Sequence, residues 1–181
     1  MVNHNRQKRW VPRGQNPPSV PRQDRLGKKV VICVWWNFED VLHFELVPDD
    51  RAVNAELYCQ QLDCVYDKLK EKYPIAVRRT RILFQQDNAK PHTAKKAKKK
   101  FDELEEVEIL PHPACTLDIA QSDYGLFRSM QHFLPGGRYQ SFDQVEEVCW
   151  EFFDSKPAEW YFNRNRMLAD GRQKIVENDG L

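Results

Sequence analysis

Four things are scarce in this chain of 181 residues, and each scarcity excludes a class of protein. No apolar run approaches the roughly 20 residues that a membrane helix needs. The stretch Met1 to Arg9 is polar and basic with no hydrophobic segment behind it, so neither membrane insertion nor secretion is expected. Cysteines number only five (Cys33, Cys59, Cys64, Cys115 and Cys149), are odd in number and form no C-x-x-C pair. That argues against a disulfide framework and for thiols in a reducing compartment. A zinc site from Cys115 with His92 and His112 lacks the ligand spacing such sites use. An excess of one charge is missing too: 28 Lys+Arg stand against 27 Asp+Glu, a net +1. A uniformly basic nucleic-acid binder is thereby excluded, but a segregated one is not. Internal repeats are absent. What remains is an ordinary globular composition, 41 % hydrophobic and 12 % aromatic. A chain of this size buries roughly 70 % of its unfolded surface, enough for a core that needs no staple.

The charges are unevenly placed. Residues 1–29 hold eight Lys/Arg against Asp24 alone, with four prolines between Pro12 and Pro21. They read as an extended basic arm, which composition alone would make a disordered solubilising tail, whereas Trp10 within it suits docking better than solvation. Val30 to Trp36 is wholly apolar and predicts a buried strand. Val41 to Val47 follows after a polar turn and predicts a hairpin. Asn54 is placed to cap a helix with Tyr58, Leu62, Val65 and Leu69 on one face, stopped by Pro74. Arg81 to Gln86 predicts a short strand running into Asp87. A helix with Ala94, Ala97, Phe101 and Leu104 in line comes next, then a strand at Val107 to Leu110. Ser122 is placed to cap a helix carrying Tyr124, Phe127, Met130 and Phe133, with Asp123 in its first turn. Ser141 to Gln144 fits a capping box ahead of a further helix. This order predicts an α/β domain, a mixed sheet covered by helices.

In such sheets sites form at the carboxyl ends of strands, where Asp87 stands. Asp123 opens a helix after the next strand and can reach the same edge. Two converging carboxylates suit a hard divalent cation and phosphoryl transfer; the plainer alternative is that each satisfies backbone N–H groups or the helix dipole. Lys90, Lys95, Lys96, Lys98, Lys99 and Lys100 lie beside Asp87, either on the path of a phosphate backbone or as a solvated face answering the five acids between Asp102 and Glu108. His92 is placed to orient a carboxylate, to touch substrate or to cap its helix.

Several ordered blocks resemble the motifs of mariner-family DNA transposases. They are Trp10-Val11-Pro12-Arg13-Gly14-Gln15, Val34-Trp35-Trp36, Ala55 to Asp63, Gln86-Asp87-Asn88-Ala89-Lys90-Pro91-His92-Thr93, Leu110-Pro111-His112-Pro113 and Ser122 to Ser129. The resemblance runs from about Asn3 to Gly180. It implies an RNase H-like catalytic domain over residues 30–181, with Mg²⁺ or Mn²⁺ held by acidic residues that cut DNA at transposon ends and join it to a target. Asp87 matches the family's second acid and Asp123 its third, as catalytic residues and metal ligands. Residues 1–29 resemble the loop that reaches the partner protomer, which implies a homodimer through Trp10, Arg13, Arg22 and Arg25. A nuclear location follows from the same resemblance.

The departures are specific. The family's first acid stands in a Gly-Asp-Glu-Lys-Trp segment that no residue here matches, and the paired helix-turn-helix domains have no counterpart. Asn37 occupies a position where many relatives have Asp, and is not promoted to the triad. Asp87 and Asp123 are separated by 35 residues, one more than usual in the family. Leu117 and Gln121 stand where prolines are usual. The missing first segment is a strand that lies in the middle of an RNase H-like sheet, between Val30–Trp36 and Arg81–Gln86; without it two interior edges face each other unpaired, unless those strands close up in a changed sheet, another segment or chain supplies a strand, or the sequence is a piece of a longer one. The resemblance therefore implies either a transposase catalytic domain with impaired chemistry or a catalytically inactive, transposase-derived DNA-binding or dimerisation module.

Overall fold

The computed structural model describes residues 29–104, 106–112, 121–134 and 139–177. The arm residues Trp10, Arg13, Arg22 and Arg25, and also Cys115 and Leu117, lie outside them. Strands β1 (Val30–Trp36) and β2 (Val41–Pro48) form the expected antiparallel hairpin, with Val34 opposite Phe44 and an irregularity in register between Trp35 and Trp36. Asn37 makes the turn: its Oδ1 accepts the N–H groups of Glu39 and Asp40 at 2.8 and 3.0 Å. This local bonding is the usual task of Asn in a turn, and it spends that side chain on structure.

Alternation along β1 sends side chains to two different cores. Val30, Ile32, Val34 and Trp36 pack on a cluster of Leu46, Leu126, Met130, Cys149, Phe152 and Phe153. Trp35, on the opposite face, packs on a second cluster of Tyr58, Cys59, Leu62, Ala97, Phe101 and Leu104. Helix α1 (Ala55–Lys72) runs beside β2 and supplies three residues of this second core. It starts as expected, the Oδ1 of Asn54 accepting from the N–H groups of Glu56 and Leu57. Pro74 ends it and opens a short helix α2 (Pro74–Arg79), because a proline at the first helical position costs no hydrogen bond.

Strands β3 (Ile82–Phe84) and β4 (Val107–Ile109) pair in parallel and are shorter than the sequence suggested. The helix expected between them is broken into α3 (Lys90–Thr93) and α4 (Lys95–Glu103), with Ala94 extended at φ −61°, ψ 148°. Leu104 caps α4 and is buried rather than riding on its face. Among the described residues no ladder joins β1 to β3, so the strands form an antiparallel pair and a parallel pair.

Beyond the sheet, the Ser122 expectation is corrected. Ser122–Phe127 is a π-helical turn that continues into α5 (Arg128–Phe133), and the Ser122 hydroxyl caps no backbone N–H; it accepts the indole N–H of Trp36 at 3.1 Å. Leu126 and Met130 are buried in the first core, and Phe133 lies at its edge against Phe152. Helix α6 (Phe142–Asp154) begins with Ser141 accepting from the Gln144 N–H at 3.2 Å, while Gln144 reaches back to the N–H of Gln140 rather than to that of Ser141. Helix α7 (Ala158–Glu177) closes the first core through Tyr161, whose buried hydroxyl donates to the carbonyl of Phe153. No helix among the described residues is long and apolar enough to cross a membrane.

Candidate metal and nucleic-acid site

Asp87 stands three residues past the end of β3, where the chain leaves the parallel pair. Its Oδ1 accepts the N–H of Ala89 at 3.0 Å and lies 2.6 Å from Nδ1 of His92. The break at Ala94 belongs to this arrangement: α3 holds His92 against the carboxylate, while α4 lays Ala97 and Phe101 on α1. The imidazole of His92 packs on the ring of Tyr58, centroids 4.4 Å apart, and the Tyr58 hydroxyl donates to Oε1 of Gln86. Burial first, and the Asp87 charge second, push the Tyr58 phenol well above its ordinary range, so it remains a donor. Across the loop, Nδ2 of Asn88 donates to the carbonyl of His112 at 2.9 Å.

Asp87, Asn88 and His92 line a cavity of about 260 Å³, walled also by Lys98, Leu110 and His112. Of the roles open to His92, orienting the carboxylate is the one its geometry serves. Tyr58, Gln86 and Asn88 escaped sequence reasoning, although a tyrosine on an otherwise aliphatic helix face is a signal that a hydroxyl is wanted there.

The six lysines divide. Lys96 pairs with Glu56 at 3.0 Å, and Lys100 with Asp63 at 2.6 Å and Glu103 at 3.7 Å. These two mostly answer acids of α1, not the acidic stretch that follows α4. Lys90, Lys95, Lys98 and Lys99 have no ion-pair partner among the described residues, and Lys98 borders the cavity.

Asp123 sits exposed in the π-helical turn, anchored to β1 through its neighbour Ser122. It does not line the Asp87 cavity, and among the described residues no three His, Cys, Asp or Glu side chains gather closely enough to hold a metal. The donor chemistry nevertheless suits a hard cation. The second oxygen of Asp87 and both oxygens of Asp123 have no partner among the described residues, and carboxylate oxygens are what Mg²⁺ and Mn²⁺ prefer. Cys115 lies outside the described residues, so the structure does not bear on the zinc alternative beyond placing His92 and His112 on one cavity wall.

A short parallel pair beside an antiparallel hairpin, helices on both faces and an aspartate just past a parallel strand define an RNase H-like domain of the DDE class. The chain belongs to the mariner-family DNA transposases, whose catalytic domain it represents. The family model described as Transposase (partial DDE domain) matches residues 1–79. The Mariner Mos1 transposase of Drosophila mauritiana is 37 % identical over 180 residues, 99 % of this chain and 52 % of that protein. The histone-lysine N-methyltransferase SETMAR of Homo sapiens is 28 % identical over 178 residues, 98 % of this chain and 26 % of that protein. The chain thus spans about half the length of the first relative and a quarter of the second. The crystal structure of the Mos1 catalytic domain superposes with a TM-score of 0.77 at 35 % identity, covering 85 % of this chain and 80 % of that one. The Mos1 paired end complex with Mn gives a TM-score of 0.85 at 38 % identity, covering 99 % of this chain and 52 % of that one. A further Mos1 paired end complex contains Mg.

Proposed function

We propose that this chain carries the chemistry of DNA cleavage and strand transfer at transposon ends, with Asp87 and Asp123 as the carboxylates that hold Mg²⁺ or Mn²⁺. The observation that carries the reading is the Asp87 arrangement: one oxygen fixed by His92 and the Ala89 N–H, the other unpaired beside a cavity that Lys98 borders. A cation bound there polarises a phosphoryl oxygen and makes a nucleophile available at neutral pH. The chain's own part is positional. His92, packed on the Tyr58 ring, holds the carboxylate, while Lys90, Lys95, Lys98 and Lys99 attract the phosphate backbone and Lys96 and Lys100 brace α4 on α1. Residues 1–29 dock a second copy through Trp10 and its arginines, and the protein works in the nucleus, where its DNA lies.

The test is Mn²⁺-dependent nicking of duplex DNA ending in a transposon terminus, compared with Asp87→Asn. Cleavage lost in the variant supports the reading, and no cleavage above the variant's background overturns it.

A second reading, a module that binds DNA without cutting it, is favoured by the finding that no three His, Cys, Asp or Glu side chains cluster among the described residues. It expects binding whose logarithm falls linearly with the logarithm of salt, with a slope reduced by about one for each of Lys95, Lys98 and Lys99 changed to Gln. Binding absent even at low salt would contradict both readings.

A further inference from the structure

We propose that the carboxyl end of β1 is a two-sided bracket that positions both candidate metal carboxylates, Trp35 on the Asp87 side and the indole N–H of Trp36 on the Asp123 side. The inference rests on the metal reading above and goes beyond it, because neither tryptophan is a ligand. Successive strand residues face opposite ways, and here each face leads to a different aspartate. From Trp35 the path runs to the ring of Tyr58 at 6.4 Å, on to the imidazole of His92 at 4.4 Å, and from its Nδ1 to Oδ1 of Asp87 at 2.6 Å. From Trp36 it runs through Nε1 to Oγ of Ser122 at 3.1 Å, one residue from Asp123. The register irregularity falls between the two tryptophans, and such irregularities re-aim the side chains around them.

The next residue makes the bracket rigid. Asn37 donates Nδ2 to the Tyr73 hydroxyl at 3.0 Å, and its carbonyl accepts Nδ2 of Asn165 at 2.9 Å. Trp35 to Asn37 therefore tie together α1, the π-helical turn and α7, the elements around both acids. A merely structural account would have the Trp36 indole finding any acceptor, as buried indoles do. The acceptor chosen bridges 86 residues to the segment carrying Asp123. A π-helical turn is a place where a side chain is commonly aimed for function, and ligand geometry tolerates only about half an ångström of looseness.

The test measures Mn²⁺ affinity of the whole chain by electron paramagnetic resonance, alongside urea unfolding of each variant. Trp36→Phe keeps the ring and removes the donor; Ser122→Ala removes the acceptor; Ser122→Thr keeps it. The expected result is a weakening of about 3- to 10-fold in Trp36→Phe and in Ser122→Ala, no further loss in the double variant, and recovery in Ser122→Thr. Unchanged affinity in Trp36→Phe and Ser122→Ala, or failure of Ser122→Thr to recover it, overturns the bracket. The unsubstituted protein gives a second readout should a variant fail to fold. Its Trp36 indole N–H resonance moves on Mg²⁺ addition if the bracket holds, and a stationary resonance overturns it. The parent reading fails differently: Mn²⁺ binding insensitive to both Asp87→Asn and Asp123→Asn would overturn the metal site itself.

Discussion

The two cores of this domain are built from different materials. The one behind β1–β2 is aromatic. Phe44 packs edge-on to Trp150 at 4.7 Å, Phe152 meets Phe133 and Phe153 at 5.4 and 5.5 Å, and strands of seven and eight residues cover them. The one around α1, β3 and α4 has three-residue strands, and most of the ion pairs among the described residues lie on α1 and α4, including Lys96–Glu56 and Lys100–Asp63. The outer face of β3 is bare, with Leu83 62 % exposed. Apolar burial dominates stability and surface ion pairs add little, so the first half is the anchor. The half that carries Asp87 has less holding it and more polar chemistry on show.

Phe152→Ala tests this contrast most severely. Phe152 is fully buried at the centre of the first core, and removing its ring is expected to cost about 3–5 kcal/mol by urea or thermal unfolding. Phe101→Ala in the second core, where Phe101 touches Phe84 at 5.2 Å, is expected to fall at or below the lower end of that range. It should open β3, α4 and β4 to hydrogen exchange while the hairpin stays protected. Equal costs with uniform exchange would erase the distinction between halves.

A smaller effect comes with alkali. Burial, with Glu146 nearby, pushes the Cys149 thiol from 9.0 up to about 11, and burial, with Asp40 and Asp154, pushes the Tyr161 phenol from 10.0 up to about 12. Both groups fold in their protonated forms. Their contribution is complete below the unfolded values and is lost as pH rises through about 9 to 12. Unfolding midpoints measured across that window should fall, and Cys149→Ala should flatten the portion between pH 9 and 11. The smallest effect is Glu56→Gln, which removes the exposed partner of Lys96 and should change stability by less than about 1 kcal/mol.

The hairpin, the Asn54 and Ser141 caps and the Asp87 turn were legible because each is written within a few consecutive residues. The break at Ala94 was not, since alanine is the best of helix formers and only the competing demands of Asp87 and α1 on the two segments explain it. The partners of Lys96 and Lys100 lie 40 and 37 residues away on α1, beyond any local pattern, so the lysines read as one face when two of them are braces. The π-helical turn is invisible to a search at 3.6 residues per turn, which is why Ser122–Phe127 read as the opening of an ordinary capped helix. The contact of Asp87 with His92, five residues apart, could be read from spacing, whereas the contacts of Tyr58 and Trp36 arise only through the tertiary fold.

That wide turn has a consequence for how such a domain can change over time. A π-helical turn holds one more residue than an α-turn spanning the same place. One residue gained or lost after Asp123, within the turn, can therefore be absorbed there without disturbing the seat of Met130 in the core. Deleting one residue between Tyr124 and Phe127 should leave α5 packed and swing Asp123 by about 100° around the axis, which makes the aim of this carboxylate heritable separately from the stability of the helix that follows it.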